Sequence, residues 1–469
     1  MGSVSGQSPG LTPALADVVL ARVLRHGGDY AEIFAEDRSS LSVRLDDRRL
    51  EEVSSGVDRG ASIRLVKGPT TSFGYVDALD EGSLIGLADR LSAGVSGGPL
   101  LPVSLNALQP LPRRQAGGDP AAMPAPVKAD MLRAVDAAAR GRSAEVRQVA
   151  AGYSESRQRI WVAGSRGVFA HDDRTRMVLS VNVVAQRGDV IQTGRETLSG
   201  TTGFGLFEDG SPVLAALEAT EKALVMLESR PAPSGRMPVV LANGFGGVLF
   251  HEACGHGLEA DYIVKKTSIW EGKRGTRVAE PFVTALDDGV TPGLWGSNSI
   301  DDEGTNTEAT VVIEEGVLTG YLTDLLRGER LGMASTGNGR RQGFRHLPYP
   351  RMTNAYFAAG AVTVADLIAD TPRAFYAKSL SGGQVDPATG DFVFGVSEGY
   401  LIEGGRVGPA VRGATLIGNG AEVLRSIDAI ADDLVVKAGM CGKEGQAVPV
   451  GTGQPTLRIR ELTVGGTAV

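Results

Sequence analysis

Apolar residues recur at helical spacing over residues 11–24 (LTPALADVVLARVL), and Pro13 is placed for a first turn, which predicts an opening amphipathic helix. The period then changes. Between 30 and 77 the segments YAEIFAED, SLSVRLDD, ASIRLVKG and TSFGYVD alternate apolar and polar positions and are punctuated by Gly, Ser and Asp. That is the pattern of an antiparallel meander with one face on a core and the other in water. Residues 97–126 are rich in Pro, Gly and Ala and read as a surface connection that splits the first half into two lobes. The second lobe repeats the theme, with a helix over about 128–139, alternating segments near 146–153, 159–162 and 177–187, and a third helix over about 212–227. Pro231 and Pro233 then mark a domain boundary. Beyond them come a short apolar strand at 237–241, an apolar helix that runs into His251, and a long tract of strands and turns without an internal repeat. The expected fold class is α+β. An N-terminal mixed α/β domain with antiparallel sheets spans 1–232, its two lobes (about 1–100 and 126–232) sharing one domain. A β-rich C-terminal domain spans 233–469 and carries the apolar helix.

Composition narrows the function. The 469 residues exceed what one core usually organises, in keeping with two domains. The 64 glycines, about twice the usual share, favour turns and sheets over a helical bundle. With a net charge of −8 and Lys and Arg scattered, the chain lacks the footprint of a nucleic-acid binder. The first residues, MGSVSGQSPGLTPA, show no basic and apolar leader, and no run of about 18 apolar residues occurs, so a cytoplasmic protein without membrane association is expected. Two cysteines, Cys254 and Cys441, are too few for a disulfide framework and suit a reducing compartment.

The residues that carry chemistry are His251-Glu252-Ala253-Cys254-Gly255-His256, at the end of the apolar run 246–250. Hydrolytic zinc sites commonly take two histidines from one helix and use a Glu beside the first as base. Here the histidines are five apart, which on an ideal α-helix turns them about 140° from each other. Both reach one ion only if the helix widens or ends, so the spacing predicts a π-type turn or a helix end at Gly255. The candidates for a third ligand are His26, His171, His346, the acidic residues and the two cysteines. Cys441 is favoured, because Gly439 and Gly442 leave its thiolate uncrowded and Lys443 is expected to depress its pKa. Cys254, inside the helix, reads as a small hydrophobe. If the histidines instead only cap a helix or make buried hydrogen bonds, Glu252 simply faces solvent.

At this point the chain resembles the TldD/PmbA family of metallopeptidases, in its metal-bearing TldD branch. The resemblance spans nearly the whole chain and rests on GGVLFHEACGHGLEAD (246–261), GFRHLPYPRMTNAYF (343–357), SGGQVDPATGDFVFGVSEGYLIEGGRV (381–407), GATLIGNGAEVL (413–424) and CGKEGQAVPVGTGQPTLRI (441–459). It implies that His251, His256 and Cys441 hold one zinc ion per chain and that Glu252 is catalytic. It also implies the two-domain α+β architecture and a dimer enclosing a cavity where extended peptides are cut, formed with a PmbA/TldE-type subunit or with a second copy.

With two imidazoles and a thiolate the centre would carry a net charge of about +1, so a base is valuable and Glu252 is expected to move the proton. His346, Tyr349 and Arg351, from the 343–357 block, are candidates for stabilising the oxyanion, although the Pro-rich turn around them serves equally to set chain shape. The glycine-rich stretches 442–446 and 451–454 lack the order of a phosphate loop and are expected to bring Cys441 to the ion. The last alternating strand, 456–460, reads as a sheet edge able to accept substrate backbone. A zinc hydrolase of a non-peptide amide, and a non-catalytic peptide-binding subunit with structural zinc, are the alternatives to a peptidase. Glu252 weighs against the second, since a structural zinc has no use for a base.

Overall fold

Alternation of apolar and polar residues organises the first half around a single long sheet. The computed structural model describes residues 10–94, 105–107 and 120–467. Most of the 97–126 connection therefore lies outside the described residues. Helix α1 (Pro13–Val23) starts on the side chain of Thr12, with proline in its first turn as expected. The meander is β1 (Tyr30–Asp46), β2 (Arg49–Lys67) and β3 (Thr70–Val76), with α2 (Glu81–Ala93) capped by Asp80. Asp47 and Arg48 join β1 to β2 with positive φ at both residues, the two-residue turn that matches strand twist. There follow β4 (Asn106–Ala107), α3 (Ala125–Arg142), β5 (Val146–Gly164), β6 (Val168–Arg187), β7 (Val190–Gly200) and α4 (Ser211–Leu227).

The strands of both predicted lobes form one sheet, ordered β3-β2-β1-β5-β6 with β7 on β6 and β4 beside the start of β6. Its odd-numbered face is apolar towards both ends, with Asp37 paired to Arg59 and Arg159 between them. Ile33, Ile63 and Leu65 pack under α1 and α2, while Val43, Tyr153, Leu179 and Val181 pack under α3 and α4. Two segments expected as separate strands, 146–153 and 159–162, are one. The polar run between them hides the continuity because Glu155, on the apolar face, is neutralised by the buried Lys128 at 2.7 Å.

The even-numbered face was expected to be wet and is so only in part, at positions such as Ser40, Arg44 and Ser54. Part of it docks on the second half, where Phe34, Ile160 and Val162 meet Ile300 and Phe344. Around this contact runs a buried seam of charge. Arg64 bridges Glu32 (2.7 Å) and Glu303 (2.6 Å), Arg341 also reaches Glu32, and Arg174 bridges Asp172 (3.1 Å) and Asp302 (2.6 Å). Each of these side chains would be costly to bury alone, and each has an opposite charge within bonding distance.

The second half is mostly strands. One six-stranded sheet runs in the order Val317–Leu318, Ala309–Glu314, Ala285–Asp288, Asn354–Phe357, Gln446–Gln454, Val435–Lys443. In the other sheet, Gly235–Leu241, Leu457–Gly465, Ala414–Asn419, Asp391–Glu403 and Arg373–Val385 pair in a closed ring around the larger core. The final strand is therefore not an edge: it lies between Gly235–Leu241 and Ala414–Asn419, and Ile427–Ile430 pairs with it as well. Over residues 457–459 its two hydrogen-bonding sides are taken by Gly235–Leu241 and Ile427–Ile430, which corrects the expected strand addition there.

Burial would raise the Asp302 carboxyl, but Arg174 outweighs it and holds the group below the usual carboxylate range. The folded chain thus binds the Asp302 proton more weakly than the unfolded one does. The resulting stabilisation is full above the ordinary Asp value of about 4 and is lost as pH falls through the lower folded value. Arg174→Leu is expected to cost about 3–5 kcal/mol at neutral pH, and its deficit relative to wild type should shrink below about pH 4. Urea unfolding across pH checks both.

Candidate metal centre

The segment that presents the histidines changes pitch three times. A 3₁₀ turn at Gly244–Gly247 leads into one α-turn (Val248–Phe250), then a π-turn (His251–Gly255), then a 3₁₀ turn (His256–Leu258). The His256 N–H donates to the His251 carbonyl, the five-residue bond that defines a π-turn and brings side chains five apart to one side. This is the widening that the spacing predicts. The approach also depends on bare backbone, since a Cβ on Gly247 would overlap the main chain of Gly453 in the strand Gln446–Gln454.

Cys441 comes from the neighbouring strand Val435–Lys443, whose return through Glu444 and Gly445 has positive φ at both residues. It lies within the strand rather than in a turn. Strand alternation sends Cys441 and Lys443 to the buried side and Met440, 60% exposed, to the other. The donor atoms of His251, His256 and Cys441 lie within 4.8 Å of one another, and all three residues are buried. The Cys441 Sγ is 3.3 Å from His256 Nε2, and the two imidazole centroids are 5.0 Å apart. Glu252 is the only partly exposed member, its side chain 28% accessible and its Oε2 3.8 Å from His256 Nε2.

Three observations show that this group fits a metal ion. The donor set is two imidazoles and a thiol. His251 Nδ1 is buried without a hydrogen-bond partner among the described residues. Burial would raise the Cys441 thiol, yet His251 and His256 hold it well below its ordinary value, as a thiolate ligand requires. Lys443, expected to cause that shift, does not. Its ammonium is turned to Glu259 (2.8 Å) and Asp261 (2.6 Å), which absorb its charge.

Glu259 is the functional residue that reading the sequence missed. Its Oε2 is 2.9 Å from His256 Nδ1, which fixes the ring so that Nε2 faces the cluster. Burial would raise Glu259, but Lys443 and then His256 bring it down to about 2, a permanent anion. The available signal was its position three residues after His256, one turn away.

Cys254 is buried in the main core with burial pushing its thiol up, the small hydrophobe expected. His26, His171 and His346 do not join the cluster. Of the three oxyanion candidates, Arg351 alone contacts it among the described residues, and it does so from behind: fully buried, it donates to the Cys441 carbonyl. Tyr349 stacks under Arg327, and the loop carrying His346 is held to the first sheet by Arg345, paired with Asp58 and Asp77.

Comparison with known proteins agrees along the chain. Residues 31–94, 118–227 and 234–466 match, in order, the PmbA/TldA metallopeptidase domain 1, central domain and C-terminal domain. The "Metalloprotease TldD homolog" of Haemophilus influenzae is 41% identical over 449 residues, covering 94% of this chain and 93% of that protein. Among solved structures, a proposed modulator of a DNA gyrase from Thermotoga maritima superposes with a TM-score of 0.81 at 21% identity, covering 96% of this chain and 99% of its own. TldE from Thermococcus kodakarensis superposes with a TM-score of 0.76 at 18% identity, covering 96% and 100%. At such identities the likeness concerns the fold.

Glu259→Gln is expected to weaken divalent-metal binding by roughly 10–100-fold by freeing the His256 ring. Competition against a chromogenic chelator measures it, and an unchanged affinity would show that the contact does not position the ligand.

Proposed function

Because the chain belongs to the PmbA/TldD family of metallopeptidases, we propose that it is a zinc-dependent peptidase in which His251, His256 and Cys441 hold one zinc ion and Glu252 is the general base. The observation that carries this reading is the convergence of two imidazoles and a thiol from separate segments within 4.8 Å, with the one accessible carboxylate beside them. Two imidazoles and a thiolate select zinc over magnesium or calcium. When bound, the ion supplies Lewis-acid polarisation of a scissile carbonyl and acidification of water.

The remaining chemistry falls to the chain's own groups. Glu252 takes a proton from the attacking water on one carboxylate oxygen and hands it to the departing amide nitrogen. Its partial exposure lets it meet substrate while the ligands stay dry. Glu259 keeps the His256 proton on Nδ1, so that Nε2 offers a lone pair. Lys443 bridges Glu259 and Asp261, and Arg351 holds the Cys441 backbone.

The proposal extends to extended peptides as substrates. It also extends to action as a dimer, with a TldE-type subunit or a second copy; TldE shares this fold, which would give such a pair near two-fold symmetry. The domains are taken as 1–232 and 233–469, since the first sheet ends before Pro231 and the ring-forming sheet draws mainly on the second half. A cytoplasmic setting suits two buried free thiols, and among the described residues no helix is long and apolar enough to cross a membrane.

Metal content by mass spectrometry and cleavage of an unfolded peptide, both measured on wild type, Glu252→Ala and Cys441→Ala, test the assignment. Glu252→Ala is expected to keep about one zinc per chain and lose cleavage by 10²-fold or more, whereas Cys441→Ala should lose both. Normal cleavage by Glu252→Ala would overturn it.

A further inference from the structure

The part of the even-numbered sheet face that does not dock on the second half walls a cavity of about 1000 Å³. Its surface is rich in hydroxyls. Ser42 on β1 lies opposite Ser54 on β2 and Ser154 on β5, and the strands Arg373–Val385 and Asp391–Glu403 add a second wall with Ser379, Ser381 and Ser397. The cavity adjoins the metal centre on two sides. Val248, on its lining, stands one helical turn before Glu252, and Met440 and Pro449 line it from the ribbon whose other face carries Cys441. The two strands of the second wall also contact the π-turn His251–Gly255.

Most of the charge on this lining is already balanced. Arg174 is paired with Asp302 (2.6 Å), Arg38 with Glu36 (2.8 Å), and Lys222 and Arg341 with Glu196 and Glu32. Arg340 donates to the carbonyls of Met352 and Pro449. Three acids line the space, and two of them are held, Glu155 by Lys128 and Asp302 by Arg174. The third, Glu398, is not. It is 7% exposed, and its Oε1 accepts from the Tyr400 hydroxyl at 2.7 Å. Its Oε2 is buried with no hydrogen-bond partner, and no cation lies at ion-pair distance among the described residues. Lys378, at the strand irregularity opposite it, holds its ammonium over the Tyr376 ring at 5.8 Å instead. The wall that carries Glu398 contributes no cation to the cavity.

A carboxylate oxygen buried without a donor carries an uncompensated desolvation cost, which an arriving donor offsets. A primary ammonium suits the position. It is compact and carries three N–H donors, one for Oε2 and others for hydroxyls such as that of Ser379, the residue directly paired with Glu398 across the strands. We propose that Glu398 receives a primary ammonium of the bound peptide, its α-amino group or a lysine side chain, and thereby sets the register of the peptide at the metal centre. This rests on the peptidase reading for the fate of the bound peptide, but not for its binding. A contact remote from the scissile bond supplies binding energy that can be used to position the reacting group.

Fluorescence anisotropy on the full-length Glu252→Gln chain tests it, with three unfolded peptides of equal length labelled at the C-terminus. One has a free α-amino group and no lysine, the second is its N-acetylated form, and the third is N-acetylated with one internal lysine. An ammonium-bearing peptide is expected to bind at least ~10-fold more tightly than the acetylated, lysine-free one, and which of the two does so identifies the source. Adding Glu398→Gln should remove the preference by weakening the ammonium-bearing peptide alone, whereas Tyr400→Phe, which keeps the carboxylate, should retain it. Equal affinities for all three peptides overturn the proposal. So does a Glu398→Gln loss shared equally by the acetylated peptide, the mark of a structural role. The acetylation comparison needs no substitution at Glu398 and decides the matter where that variant fails to fold. Wild-type cleavage separates the two readings: an ammonium preference with none of the peptides cleaved removes the peptidase and leaves the receptor, and cleavage with equal affinities does the reverse.

Discussion

One buried ammonium organises the site. Lys443 lies on the strand that carries Cys441, and its bonds to Glu259 and Asp261 reach the segment that carries His256. With the Glu259 contact to His256 Nδ1, this makes a continuous path from strand to imidazole. Removing the ammonium would leave two carboxylates buried together, so the strand and the histidine segment have one favourable relative position. The Cys441 thiol and the His256 ring are 3.3 Å apart as a result of that constraint, not of local chain geometry.

A second, larger electrostatic contact plays the same part between the halves of the molecule. The seam of Glu32, Arg64, Glu303, Arg341, Asp302 and Arg174 closes one end of the first sheet onto the second half. The other end stays apart and forms the cavity. Pairs buried in this way contribute little net stability, but they tolerate few alternative dockings, because any shift strands a charge away from water. The halves therefore meet in one register, and the cavity wall falls beside the ribbon bearing Cys441.

Membership of a metallopeptidase family and the donor set at the cluster converge from independent directions. The first comes from the match along the chain, the second from the chemistry of side chains that the fold brings together. The low-identity structural likeness to TldE adds only that one architecture serves chains of diverged sequence.

Much of this was legible in the sequence wherever the information is local. Alternation in 30–77 reports a half-buried sheet, Pro13 ahead of an apolar run at helical spacing reports a helix start, and a five-residue spacing of histidines reports a π-turn, since each depends on neighbours a few positions away. The same alternation marked which residues leave the apolar core, but not what covers them. A polar face reads alike whether it meets water, a buried ion-pair seam or a cavity, and only the docking of distant segments such as 295–345 decided among these. For the same reason the polar run around Glu155 broke one strand into two on paper, and the last strand read as an edge although ring closure gives it neighbours on both sides. Lys443 appeared to serve Cys441, its neighbour in sequence. The tertiary structure gave it to Glu259 and Asp261, because strand position sets only a side chain's direction, while its charge partner is whatever the fold brings within reach.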